Sequence, residues 1–104
     1  MGLGVYNNSG LGVSNKVVGT TAQVILSVPL NYCKEQGQMD FIKTTAGDTV
    51  YVSLCGKPVS TVNYDIILTD AVPFYNVNGL CLGDVRALGS AATSALSATV
   101  LACT

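Results

Sequence analysis

Residues Gln38 to Gly56, Q-M-D-F-I-K-T-T-A-G-D-T-V-Y-V-S-L-C-G, decide the fold class. From Thr49 to Cys55 the chain alternates, with Val50, Val52 and Leu54 on one side and Thr49, Tyr51, Ser53 and Cys55 on the other. A period of two carried by β-branched and aromatic residues marks a strand, because successive side chains of an extended chain leave opposite faces of a sheet. The strand before it, beginning at Gln38, alternates less cleanly. Its adjacent Phe41 and Ile42 predict partial cover on both faces. Thr45-Ala46-Gly47-Asp48 between the two strands has the Gly and Asp of a tight turn, so the stretch reads as a β-hairpin at the centre of a small all-β domain.

Outward from this centre the same signals recur at short intervals. Thr20 to Val28 is a strand closed by Pro29, and the polar connection Asn31 to Gly37 leads into the hairpin. Lys57-Pro58 is a turn, and Pro58 limits Val59 to Val62 to an edge segment. Tyr64 to Leu68 and Val72 to Val77 are further strands, the second confined by Pro73 to an edge or a strand start. Asn78-Gly79 between two apolar runs signals a hairpin turn. Leu82 to Leu88 and Leu96 to Cys103 complete the set, joined by the small-residue loop G-S-A-A-T-S-A. Ala87 to Ala98 also contains enough alanine to begin a helix, an option weakened by Gly89 and the hydroxyl residues. About seven strands with short connections predict an antiparallel β-sandwich or barrel over residues 20–104.

Residues 1–19 differ in composition. The closely similar runs G-L-G-V and G-L-G-V-S, at Gly2 and Gly10, carry too much glycine for a stable helix. They read either as a disordered tail or as an arm that orders against a neighbouring subunit, with Leu3, Val5, Tyr6, Leu11 and Val13 as its apolar contacts.

Charged residues make up only 11% of the 104 residues, with a formal net charge of −1. Average domains carry about 25%. A surface with so little charge does little to oppose association, which points to a chain whose surface is covered by other subunits. Five basic residues scattered singly do not make the footprint of a nucleic-acid binder. No run approaches the roughly 20 apolar residues of a membrane-spanning helix. The first residues lack the pattern of a secretory signal, and Tyr6 stands where a myristoylation motif requires Ser or Thr, so synthesis in the cytoplasm is expected. Cys33, Cys55, Cys81 and Cys103 lack the paired spacing of a zinc site. Packed free thiols are the expectation, with two disulfides as the alternative.

Catalytic chemistry is not legible. The chain has no histidine, which removes Ser-His-Asp and Cys-His arrangements. Its acidic residues lie singly on different segments, mostly near predicted turns, and its glycines do not precede the Lys-Ser/Thr step of a phosphate loop. The expectation is a non-enzymatic protein that uses no cofactor or metal. Tyr32, Tyr64 and Tyr75, in or beside connections, are the residues that would recognise a ligand such as a glycan if the surface is used that way.

The series T-T-A-Q-V-I-L (Thr20 to Leu26), M-D-F-I-K-T-T (Met39 to Thr45), D-T-V-Y-V-S-L-C-G (Asp48 to Gly56), I-I-L (Ile66 to Leu68) and G-D-V-R-A-L, ending in a Ser/Thr/Ala-rich strand, resembles the small all-β virion proteins of tailed bacteriophages. That resemblance spans residues 20 to 102. It implies a capsid decoration or cement subunit that clusters as a homo-oligomer on the virion and braces the major capsid protein lattice, without nucleic acid or membrane. A tail or fibre module that binds a host-surface glycan and a self-assembling coat or filament subunit are the alternatives.

Overall fold

A computed structural model describes residues 12–28, 38–78 and 83–101. The strands are β1 (Gly12–Val17), β2 (Gln23–Val28), β3 (Gln38–Lys43), β4 (Val50–Ser53), β5 (Ile66–Leu68), β6 (Phe74–Asn78), β7 (Gly83–Gly89) and β8 (Ala95–Leu101). They form two four-stranded sheets, one in the order β1-β8-β3-β6 and the other β2-β7-β4-β5. Every pairing is antiparallel. Eight strands exchanged between two packed sheets in this order make a jelly roll, a form of β-sandwich.

The alternation read from the sequence explains which side chains fill the space between the sheets. On the first sheet Met39 and Phe41 of β3 and Leu96, Ala98 and Val100 of β8 point inward. On the second, Val50 and Val52 of β4, Ile66 and Leu68 of β5, and Val85 and Ala87 of β7 face them. All are buried, and Phe41 is the largest fully enclosed side chain among the described residues. The alanine-rich segment is strand, not helix, because Ala87, Ala95 and Ala98 occupy tightly packed positions in β7 and β8.

The central turn joins layers, not neighbours. β3 pairs with β6 and β8, whereas β4 pairs with β5 and β7, so the expected hairpin at 45–48 is a crossover between sheets. A short turn specifies a reversal but not its plane. Here the inward register of Lys43 places an ammonium at the end of the core, and its ion pair with Asp48 draws the turn across that end. Asn78-Gly79 fails as a hairpin signal for the same topological reason, since β6 and β7 lie in different sheets. Gly79 lies outside the described residues. β4 and β5 are the consecutive strands that do pair as a hairpin.

Ile42, on the outer face, is 43% exposed, which is the partial cover that its place beside Phe41 predicts. Two further expectations change. Val59 to Val62 is no strand; Val59 is buried and the Ser60 hydroxyl accepts the amides of Val62 and Asn63 to hold an irregular loop. The glycine-rich stretch read as an arm contains β1, which pairs with β8, so residues 12–17 belong to the sheet. Residues 1–11 lie outside the described residues.

Candidate assembly surface

One end of the sandwich is closed by a polar cluster. Lys43 follows Met39 and Phe41 at spacing two and so points inward, and its side chain is 1% exposed. Its ammonium donates to Asp48 Oδ1 at 3.0 Å, to Asp70 Oδ1 at 2.5 Å and to the carbonyl of Thr45. Those acceptors match its three donors. Asp48 also accepts from the Thr45 hydroxyl at 2.5 Å and from Ser94. Burial raises the Asp48 carboxyl, but Ser94, Thr45 and Lys43 outweigh it and hold the group at about 2. Burial lowers the Lys43 ammonium, and its bonds to Asp70 and Asp48 overcome that and raise it. Asp70 bonds Lys43 and the Gly47 amide and is held below the usual carboxylate range.

Ser94 fits only because residue 89 is glycine: a Cβ there would lie 2.1 Å from the Ser94 Cβ. The cluster is a satisfied latch between strand ends and connections. It presents no unpaired base or nucleophile. No group of three or more His, Cys, Asp or Glu among the described residues is arranged to hold a metal.

The four edges of the sheets that the described strands form are protected unequally. Edge strands offer unpaired backbone groups, and proteins blunt them with bulges, charges or short length. β1 has a register shift between Val13 and Lys16, a positive φ of 51° at Asn15, and Lys16 itself. β2 has a register shift between Val24 and Leu26, and β5 is only three residues long. β6, F-Y-N-V-N, runs in unbroken register with β3 and carries no charge.

The surface at β6 is also apolar. Phe74 pairs with Ile42 on the outer face, and Val72 and Tyr75 extend the patch around the edge. All four are more than 40% exposed. Toward the other end of that face the pattern turns polar, with the Asn76 amide donating to Asp40 at 2.5 Å and to Gln38 at 3.3 Å.

The opposite end carries Cys55. Chain alternation directs it away from the core that Leu54 enters, and it is exposed on a turn with φ of 62° at Cys55 and 73° at Gly56. Cys55 is disulfide-bonded, not the packed free thiol expected. An outward turn position offers no apolar packing that would keep a thiol buried. Its partner lies outside the described residues, as do Cys33, Cys81 and Cys103. The described residues that border those stretches are paired at this same end: Val28 with Gly83, and Gln38 with Asn78 and Leu101.

The residues singled out from the sequence separate accordingly. Val13 is half-buried in β1 against the core and is therefore engaged within the chain. Leu3, Val5, Tyr6, Leu11 and Tyr32 lie outside the described residues. Tyr64, just before β5, packs at a tilt against Tyr51 with ring centroids 5.2 Å apart. Tyr75 stands on β6 in the other sheet, so the tyrosines do not form one recognition site. The sequence reading of Val72 to Val77 as a strand that Pro73 confines to an edge or a strand start agrees with β6, which begins at Phe74 and is an edge of its sheet. What the sequence did not disclose is how this edge differs from the other edges, since that follows from topology.

No family model matches the sequence, and no curated protein does. A solved structure from work reporting that "Bacillus endospore appendages form a novel family of disulfide-linked pili" shares the fold, with a TM-score of 0.52 and 14% sequence identity. The match covers 95% of this chain and 84% of the other.

Proposed function

We propose that this chain is a non-enzymatic structural subunit that assembles with copies of itself into a fibre, using β6 as the receiving edge. The carrying observation is the contrast among edges: β1 and β2 are broken by register shifts and β5 is three residues long, whereas β6 offers five uncharged residues in unbroken register beside an exposed apolar patch. An edge left open in this way accepts another strand by backbone hydrogen bonding, with side-chain contacts setting register. The low charge of the chain favours repeated close contact. The likeness in fold to a subunit of disulfide-linked pili supports the reading, and a disulfide on an exposed turn suits a protein that works outside the reducing cytosol.

The occupant we assign to β6 is residues 1–11 of a second copy. G-L-G-V-Y there alternates Gly with Leu3 and Val5, as an added strand with one apolar face requires, and Tyr6 and Leu11 supply further contacts. A contact between two different surfaces leaves a donor and an acceptor free at each end, and where its rotation does not close a ring it propagates into a fibre.

Capsid decoration, the role implied by the resemblance to phage virion proteins, uses the same exposed edge against a capsid lattice. The readings part on whether a partner is needed. Purified protein is incubated alone and imaged by negative-stain electron microscopy, beside a Phe74→Lys variant and a chain lacking residues 1–11. Self-assembly predicts fibres from the parent and none from either variant, with both variants folded by circular dichroism. No polymer from the parent, together with saturable binding to phage capsids, replaces the fibre by the decoration role. Undiminished fibres from both variants refute the assigned contact.

A further inference from the structure

The outer face of the second sheet carries a different feature, away from β6. A groove of about 310 Å³ lies beside the loop between β4 and β5, lined by Ser53, Lys57, Pro58, Asn63, Tyr64 and Asp65. We propose that this groove binds a sugar ring of a glycan, with the Tyr64 ring as its stacking platform. This goes beyond assembly and does not depend on it.

Three observations carry the proposal. First, the platform is held in place. Tyr64 leans on Tyr51 with planes inclined by 54°, and Tyr51 is half-buried in β4 between Ile67 of β5 and Leu88 of β7. Tyr64 remains 42% exposed, so ring surface is left for a ligand. An aromatic ring offers a flat, weakly polar surface suited to the C–H face of a pyranose, and its rigidity limits the entropy lost on contact.

Second, the rim has the polar chemistry that a sugar needs. Asp65 accepts from the Leu54 amide at 2.8 Å and from the Lys57 ammonium at 2.7 Å. Those bonds occupy two of the roughly four acceptor positions of a carboxylate. Burial raises the Asp65 carboxyl, but Lys57 and the Leu54 amide outweigh this and hold it below the usual carboxylate range. Lys57 is 54% exposed and uses one of its donors on Asp65. The Asn63 side-chain amide has no partner among the described residues. Vicinal hydroxyls are each donor and acceptor, and a fixed carboxylate beside an ammonium and a free amide answers both halves.

Third, the loop is preorganised. The Ser60 hydroxyl accepts the Val62 and Asn63 amides at 3.2 and 3.0 Å, Ser60 N donates to the Asn63 carbonyl at 2.8 Å, and Asp65 N donates to Val52 O at 2.9 Å. The groove is at the lower end of the roughly 300–1,000 Å³ of small-molecule sites, which suits a monosaccharide unit. A second groove of about 400 Å³ shares Pro58 as a wall and offers room for an adjoining ring. A shallow site of this kind binds weakly as one copy, and repetition along a fibre raises the avidity.

The test immobilises glycans built from single sugar types, namely glucose, galactose, mannose and N-acetylglucosamine, and measures retention of the purified chain with free sugar as competitor. Retention on at least one of them is expected for the parent and for Tyr64→Phe, which keeps the ring. Tyr64→Ala and Asn63→Ala should each reduce it, the former by about tenfold. No retention on any of the four, or retention that both alanine variants leave unchanged, overturns the proposal. The same samples are imaged for fibres. Loss of sugar binding with fibres intact is a failure of this site alone, and loss of fibres with sugar binding intact is a failure of the assembly reading alone.

Discussion

Asp48→Asn tests the latch at the end of the core. In the parent, the Asp48 carboxyl lies at about 2 against an ordinary 3.8, and its side chain is 5% exposed, so the shift is little screened. Each pK unit is worth about 1.4 kcal/mol. Asp48 ionisation therefore contributes about 2 kcal/mol to folding, present in full above the unfolded-state value near 4 and lost as pH falls from about 4 through about 2. Asn keeps the shape and the capacity to bond Thr45 and Ser94 but removes the charge opposite a buried ammonium. Breaking one side of a buried pair costs about 3–5 kcal/mol. Lys43 retains Asp70 and the Thr45 carbonyl, so the lower figure, about 3 kcal/mol, applies. For a domain of this size that lowers Tm by more than about 10 °C. Urea unfolding followed by circular dichroism at a series of pH values gives both quantities. The account requires a large gap between parent and variant at neutral pH that narrows by about 2 kcal/mol toward pH 2. Parallel acid profiles, or a neutral gap under about 0.5 kcal/mol, would show that the pair contributes nothing net.

The same structure sets other expectations. Gly89→Ala should cost about 1–3 kcal/mol despite alanine's stiffer backbone, since its Cβ must displace Ser94, whose carbonyl accepts the Val18 amide at 2.8 Å; an unchanged denaturation midpoint would contradict the packing. Phe41→Ala, at the largest enclosed position among the described residues, should lose about 3–5 kcal/mol by the same assay, and a loss below about 1 kcal/mol would mean that Phe41 is not enclosed in the core. Reducing the Cys55 disulfide, or replacing Cys55 with Ser, should cost about 2–4 kcal/mol. Peptide mapping without reductant should recover Cys55 cross-linked to Cys33, Cys81 or Cys103, whereas recovery as a free thiol would remove the disulfide from the account.

The strands themselves were legible because their periodicity reflects a one-sided environment. Val50, Val52 and Leu54 point into the core as their spacing requires, and Tyr51 faces out. Which strands are neighbours was not legible. The turn at 45–48 and the Asn78-Gly79 signal encode reversals, and a reversal within one sheet and a crossover between two look alike locally. Lys43 held the missing information: an inward register for a lysine is tolerable only if carboxylates meet it, and Asp48 and Asp70 arrive from the crossover and from the connection between β5 and β6. Glycine density hid β1, whose pairing with β8 comes from tertiary context and not from propensity. Cys55 misled because composition cannot separate a core cysteine from one on an exposed turn. Of the candidate recognition residues, Tyr64 has a prepared setting, and that setting depends on Tyr51 beside it and on a loop whose shape the sequence did not disclose.

The central claim is that β6 is the edge through which copies join. Hydrogen–deuterium exchange of the peptide spanning Phe74–Asn78, compared between dispersed and assembled protein, tests it most directly. The account predicts marked slowing on assembly in that peptide and in residues 1–11, with little change at β2 and β5. Assembled protein whose β6 exchanges as fast as in the dispersed state, with protection appearing at another edge, would contradict it.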